Sequence, residues 1–412
     1  MKHIVCILSM VCCLFSCRTN NPGEETELGD IYSQPRIGRI AVRNTFKNDF
    51  EFYDKTTGNA YIPRGTNFTQ MRQISYNGTV VIVQNSPLIT HNNFESAHYQ
   101  SNEVESMFIF LERYGYNTVR TLLNPFSIVD SLGNLNSGSM DNIADFLERA
   151  EMHGIGIIFT IQWAPLNVFP ETISEPDDLA EAQNAHYLFS SGYVRESHFW
   201  KEFIRALKLR SAPMDAIFAY GIRNEIHFDV TASPLNQTIT PVVCCNGTSY
   251  DLSVSGNMQK LIDDSFTAWS SAVRTAILAE EPEALVTAGF YLIYPGSPGI
   301  RMPSMDAIFS SELDFIDLHM YPDLDPQVTV DSVAKFFTLD QNRFKPVLMG
   351  EFGFMDNDNR SLDTLGSELL TWKNHMMSYY EVDGWILWTW DNGEGLSKQD
   401  EGLFLKRMAN QP

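Results

Sequence analysis

Two glutamates sit where a charge is costly. The apolar run Ala216-Ile217-Phe218-Ala219-Tyr220-Gly221-Ile222 leads into Arg223-Asn224-Glu225, and Pro346-Val347-Leu348-Met349-Gly350 leads into Glu351-Phe352-Gly353. A carboxylate at the end of a buried strand has to be paired or put to use. A pair of carboxyls held about 5–5.5 Å apart can break a glycosidic bond: one stays ionised to attack the anomeric carbon, and the other, kept protonated, donates to the leaving oxygen. Competing chemistries lack their residues. There is no Gly-x-Ser-x-Gly elbow and no Cys/His pair placed for a nucleophile. The nine histidines show no close pair at ligand spacing, so no metal and no cofactor is expected. Gly154-Ile155-Gly156 precedes an apolar run and lacks a third glycine, so it is no dinucleotide turn.

The elements that must position these glutamates are legible as an alternation. Short apolar runs at Tyr61–Asn67, Asn117–Leu122, Gly156–Ile161, Ile217–Ile222, Leu285–Gly289, Phe315–His319, Val347–Glu351 and Trp385–Trp390 read as eight buried parallel strands. Between them Val104–Tyr114, Met140–His153, Glu196–Lys208, Met258–Ala279, Val330–Asn342 and Leu362–Tyr380 read as helices. Eight such units predict an α/β fold, a single TIM-type (β/α)₈ barrel over residues 38–412, with elaborated loops after strand one (Phe68 to Tyr99) and strand four (His227 to Gly256). Two units read as weak: the helix after strand five is short, and Gly393 to Pro412 leave room only for an abbreviated last helix. In such a barrel the site lies at the C-terminal ends of the strands, where Glu225 and Glu351 fall.

With these residues in order along the chain, the sequence resembles glycoside hydrolase clan A, family 5 in particular. Asn224-Glu225 and Glu351 match the family's strand-four and strand-seven ends, Arg64-Gly65-Thr66-Asn67 its strand-one end, Asn117-Thr118-Val119-Arg120 its strand-two arginine, His319-Met320-Tyr321 its strand-six His-x-Tyr and Trp388 its strand-eight platform. The resemblance implies Glu351 as nucleophile, Glu225 as acid/base and Asn224 on the sugar 2-hydroxyl. Arg120, His319, Tyr321, Trp388 and Asn67 would line the substrate. Arg120 and the Tyr321 hydroxyl are expected to favour the anion of Glu351, while apolar rings such as Phe228 keep Glu225 protonated. Of Trp388 and Trp390 only one is expected to face the mouth, and the resemblance favours Trp388. Trp163 is a second sugar-platform candidate, and the histidine usual near Gln162 in the family is missing. The implied activity is a retaining β-glycoside hydrolase on a neutral polysaccharide or oligosaccharide, of β-mannan or β-glucan type. Its rivals are a transglycosidase and a surface glycan-binding protein that has lost catalysis.

Composition sets the surroundings. Acidic residues outnumber basic ones by 51 to 29, and the net charge of −22 repels nucleic acid, anionic head groups and polyanionic substrates. A monomer with a neutral sugar partner is expected. Lys2 and His3 precede an apolar run from Ile4 to Phe15, too short to span a bilayer, which reads as an export signal. Its end, Leu14-Phe15-Ser16-Cys17, resembles the lipobox of bacterial lipoproteins, which implies cleavage before an acylated Cys17; the alternative is ordinary cleavage a few residues later. Residues 18–37 then form a flexible tether, and the protein is expected to be exported and lipid-anchored at the outer membrane or cell surface. Of six cysteines only Cys244 and Cys245 lie beyond this segment, and they are open to two readings, a vicinal disulfide or a pair of free thiols.

Overall fold

Continuous apolar runs fold as strands covered on both faces, because a parallel sheet wrapped in helices leaves neither face to water. The computed structural model describes residues 37–45, 50–73, 75–76, 79–80, 82–83, 86–87, 89–130, 134–162, 184–239, 241–291, 299–321, 328–341, 344–354, 361–390 and 398–409. The barrel strands are β1 (Arg64–Phe68), β2 (Thr118–Leu123), β3 (Gly156–Ile161), β4 (Ile217–Gly221), β5 in two pieces (Val286–Thr287 and Gly289–Tyr291), β6 (Ile316–Met320), β7 (Val347–Phe352) and β8 (Gly384–Trp390). All but β1 and β5 are buried at every residue. Every neighbouring pair is parallel, and the order runs β5–β4–β3–β2–β1–β8–β7–β6 and back to β5. The first piece of β5 pairs with β4 and the second with β6, which closes the ring.

Each strand is followed by a helix: α1 (Ser101–Arg113), α2 (Ser137–Met152), α3 (Ser190–Leu209), α4 (Asn257–Glu280), α5 (Met305–Ser310), α6 (Val330–Phe336), α7 (Leu362–Ser378) and α8 (Lys398–Ala409). Side-chain oxygens that accept first-turn amide hydrogens fix several starts: Asn136 for α2, Ser304 for α5, Ser361 for α7, and Thr329 with Ser332 as a capping box for α6. The elaborated loops carry small antiparallel ladders. After β1, Met71–Gln73 pairs with Ile89–His91; after β4, Val242–Val243 pairs with Ser249–Tyr250, and Phe228–Asp229 reaches across to Ile300–Arg301.

Four features depart from the sequence reading. Strand five is broken at Ala288, because its second piece bonds to the extension of β4: Gly289 donates to the Arg223 carbonyl (2.9 Å) and Ile226 to the Gly289 carbonyl (3.1 Å). Helix α6 stops at Phe336 rather than Asn342, with Thr338 in the left-handed region at φ 50°. The last helix is not abbreviated; it runs 12 residues and buries Phe404, Leu405 and Met408. Ahead of the barrel, Ile40–Asn44 and Phe50–Asp54 form a hairpin that the sequence reading did not contain.

That hairpin covers the N-terminal end of the barrel. Phe52 is 1% exposed and meets Phe218 and Phe315 edge-on, with ring centres 5.1 Å apart in both cases, at the starts of β4 and β6. Arg39 ties the hairpin's base to the β4 and α4 ends through Asp215 and Glu281. Phe52→Ala removes a buried ring from a site too crowded to collapse, so it should lower unfolding stability by about 3–5 kcal/mol in urea titration. A loss under about 1 kcal/mol would show that the hairpin does not hold the barrel floor.

Candidate active site

Arg120 points from β2 into the barrel and is wholly buried, and its guanidinium meets acceptors from four residues. Nε donates to Asp317 Oδ2 (3.1 Å) on β6. Nη1 donates to Asn67 Oδ1 (2.9 Å) on β1 and to Glu351 Oε1 (2.6 Å) on β7. Nη2 donates to Asn224 Oδ1 (2.7 Å) beyond β4 and lies 3.2 Å from His319 Nε2 on β6. Parallel pairing brings these together: Asn67 is level with Arg120, and His319 is level with Glu351 after a bulge between Leu318 and His319. Asn67 is further fixed by donating to the carbonyls of Gly350 (2.8 Å) and Leu387 (3.2 Å), so its amide orients Arg120 and is itself closed to solvent.

Glu351 is 2% exposed; its Oε2 accepts from the Tyr321 hydroxyl (2.5 Å) and lies 3.3 Å from His319 Nδ1. Glu225, whose side chain is 31% exposed, places Oε1 2.9 Å from the same His319 Nδ1. Ligand atoms of Glu225, His319 and Glu351 lie within 4.8 Å of one another. The two glutamates identified in the sequence therefore converge on one small volume at the barrel mouth. Two glycines make the approach possible. A Cβ on Gly289 would lie 1.7 Å from the Asn224 carbonyl oxygen, and one on Gly350 would lie 1.6 Å from Asp317 Oδ1.

Charges in this space are strongly coupled. Burial pushes the His319 imidazole down, but the Glu351 and Asp317 carboxylates, with hydrogen bonds to Asp317 and Glu225, lift it to about 9. Protonated, its Nε2 faces Asp317 Oδ2 at 3.6 Å; neutral, that nitrogen accepts from Arg120. Burial raises Glu225 too, yet the His319 hydrogen bond and charge outweigh it and hold Glu225 below the usual carboxylate range. Glu351 lies above that range, because burial, aided by the Glu225 charge, exceeds the pull of His319 and Arg120. This corrects the expectation from the sequence. In the open site Glu225 is held ionised by an imidazolium rather than kept protonated by apolar rings, and Glu351 is the carboxyl pushed up. Tyr321 is raised well above its ordinary value, by burial first and then by the Glu351 and Glu225 charges, so it stays a donor.

Trp388 faces inward, packed edge-on against Tyr321 (6.4 Å) and His91 (5.4 Å), whereas Trp390 faces outward against Phe110 of α1. The Trp388 indole Nε1 is buried and has no hydrogen-bond partner among the described residues. Trp163 lies outside the described residues, as do Cys17 and the N-terminal segment. Sequence reasoning missed Asp317 and His91. Asp317 had a signal, being an acid two residues before His319 in a buried strand and hence on the same face. His91 had none, since it arrives from the β1 loop; it stands 2.7 Å from Gln162 Nε2, so a histidine does adjoin Gln162, supplied by another element. Glu225, His319 and Glu351 are also the one group among the described residues that could gather round a metal ion. The donor set fits a cation poorly, because the Arg120 guanidinium already occupies Glu351 at 2.6 Å.

A closed (β/α)₈ barrel with paired glutamates at the ends of β4 and β7 defines a class, the barrel glycoside hydrolases. Residues 77–394 match the model of the cellulase family, glycosyl hydrolase family 5, and the chain belongs to that family as an O-glycosyl hydrolase. The fold is shared with an endo-1,4-β-mannanase from Rhizomucor miehei (16% identity, 90% of this chain and 100% of that one, TM-score 0.54). It is shared also with an endo-β-1,4-mannanase from Thermotoga petrophila (13%, 86% and 77%, TM-score 0.55) and a β-mannanase from the blue mussel Mytilus edulis (16%, 91% and 97%, TM-score 0.51). No curated protein matches the sequence.

His319 should titrate near pH 9 in nuclear magnetic resonance spectra of histidine-labelled protein. Its folded value exceeds the ordinary 6.5, so the stability it contributes is complete below pH 6.5 and is lost as pH rises through about 9. Asp317→Asn should lower the midpoint by removing one of the carboxylates that hold the proton. An unchanged midpoint would show that Asp317 does not set the charge of His319.

Proposed function

We propose that the protein is a retaining β-glycoside hydrolase for a neutral polysaccharide or oligosaccharide, of β-mannan or β-glucan type, working through a covalent glycosyl-enzyme intermediate. The observation that carries this reading is the convergence of Glu225 and Glu351 oxygens within 4.8 Å of each other. So near an approach of single oxygens fits carboxyl groups spaced roughly 5–5.5 Å apart, as in retaining enzymes, better than the roughly 6.5–9.5 Å that leaves room for an inverting water. Glu351 attacks the anomeric carbon. Two donors, Arg120 and Tyr321, address it and the His319 charge lies 3.3 Å away, while Glu225 and burial oppose its charge. Glu225 is the acid/base, being the more exposed carboxyl and free to swing from His319 to a glycosidic oxygen. When the sugar shields Glu225 from His319 and water, the balance holding it ionised is lost and it takes up a proton. Its lost charge then lowers Glu351, and the two glutamates reach the division of roles that the open site does not hold. Asn224, oriented by Arg120, meets the sugar 2-hydroxyl, and Trp388 offers an aromatic face and an unpartnered N–H to the ring. Among substrates β-mannan heads the panel, because the similar barrels named above are mannanases. The net charge of −22 argues against a polyanion.

Glu351→Ala should lower kcat by at least about 10⁴-fold, as loss of a covalent nucleophile does elsewhere, and added azide should yield an α-linked azido sugar. The first product of the unmodified enzyme should be the β anomer by nuclear magnetic resonance. An α product formed at once would overturn the covalent route, and a β-linked azide would reverse the two roles. Product analysis with a sugar acceptor present separates hydrolysis from transfer.

We propose further that the chain is exported and anchored through an acylated Cys17, since a short apolar run ends there. Cys17→Ser should move the protein from the membrane fraction to the soluble one and remove the acyl mass from its N-terminus. A membrane-bound Cys17→Ser protein would refute the anchor.

A further inference from the structure

Cys244 and Cys245 are neighbours in sequence, and in an extended strand their side chains would point to opposite faces. Here the chain turns instead. Cys244 N–H donates to the Thr248 carbonyl (2.8 Å), Gly247 N–H to the Cys244 carbonyl (2.8 Å) and Cys245 N–H to the Leu188 carbonyl (2.8 Å). Gly247 supplies the positive φ, 83°, that the turn needs. The result is a Sγ–Sγ separation of 3.6 Å, with the Ser265 hydroxyl 3.1 Å from the Cys244 sulfur. Both cysteines line an open cavity of about 550 Å³, bordered by Phe189, Pro234, Gln237 and Val242; Cys245 is half-buried and Cys244 is 3% exposed, so the cavity is the route by which a small reagent would approach them. The pair is chemically unequal. Hydrogen bonding from Cys245 brings the Cys244 thiol down to about 6 against the effect of burial, with help from Ser265. The same bond and burial push the Cys245 thiol up. The proton between the two sulfurs is thus drawn toward Cys245, which leaves Cys244 the more nucleophilic of the pair.

We propose that Cys244 and Cys245 form a reactive dithiol site that takes a small-molecule disulfide and closes to a vicinal disulfide. The Cys244 thiolate attacks one sulfur of the reagent RSSR; that S–S bond breaks, a mixed disulfide forms on Cys244, and the departing RS⁻ takes the Cys245 proton. The Cys245 thiolate then attacks the Cys244 sulfur and expels the second RS⁻, which takes a proton from water. The two protein thiols are oxidised by two electrons, and RSSR is reduced to two RSH.

The test uses reduced full-length protein treated with 2,2′-dithiodipyridine and then digested with trypsin. Arg223 and Lys260 bound a peptide, residues 224–260, that holds these two cysteines and no other. In the unmodified protein this peptide should come out two hydrogens lighter with no adduct. Cys245→Ser should trap a stable thiopyridyl adduct on Cys244. Cys244→Ser should leave Cys245 reacting more slowly by about tenfold or more. A peptide of unchanged mass, adducts on both cysteines of the unmodified protein, or a disulfide joining two chains would each overturn the proposal, whatever the variants do.

Discussion

One buried guanidinium organises the upper end of this barrel. Arg120 binds groups from β1, β6 and β7 and from the segment after β4, so a single side chain cross-links four other parts of the ring near its C-terminal rim. A buried ion pair seldom adds net stability, because desolvation of each ion offsets most of the attraction between them. Arg120 is better understood as a device of position. Its fork has fixed directions, and four residues each place an acceptor along it, which fixes Glu351 and Asn224 relative to one another. Even Asn67, which the family resemblance places among substrate residues, is committed to orienting this guanidinium.

The same arrangement dictates backbone elsewhere. Asp317 can lie beside Arg120 only because Gly350 has no side chain, and Asn224 can pass close to β5 only because Gly289 has none. The broken strand five belongs to this account: its second piece leaves β4 proper, follows the β4 extension that carries Asn224 and Glu225, and reaches β6 at His319. Counting Glu225, Asp317 and Glu351 against Arg120 and a protonated His319 leaves one excess negative charge in a nearly dry space. That surplus links the protonation of Glu225, His319 and Glu351, which suits a reaction that must deliver a proton and then recover it.

Much of the barrel was legible in the sequence, because eight buried parallel strands must be continuous and apolar and leave that mark on the chain. Glu225 and Glu351 stood out for the same reason, as charges ending runs where charge is costly. What was not legible depends on meetings between distant segments. The hairpin at Ile40–Asn44 and Phe50–Asp54 alternates weakly and gains its purpose only by meeting Phe218 and Phe315. His91 comes to Gln162 and Trp388 from a loop whose path no local pattern encodes. The protonation of the two glutamates was misjudged because sequence shows which rings lie near Glu225 along the chain. It does not show that His319 would stand 2.9 Å away and outweigh them.

Stability and chemistry occupy opposite ends of this fold. The Arg120 network gathers at the C-terminal rim, where glycines remove packing that side chains would have supplied. The N-terminal end is mainly apolar: Phe52 packs edge-on against the stacked Phe218 and Phe315, with Ile37 and Tyr61 beside Gly156 at the start of β3 and the Arg39–Glu281 pair at the border. Burial of such rings is worth several kcal/mol each and carries no unmet hydrogen bond. A barrel closed below by apolar contacts can therefore tolerate an upper layer whose charges are set by reaction rather than by stability.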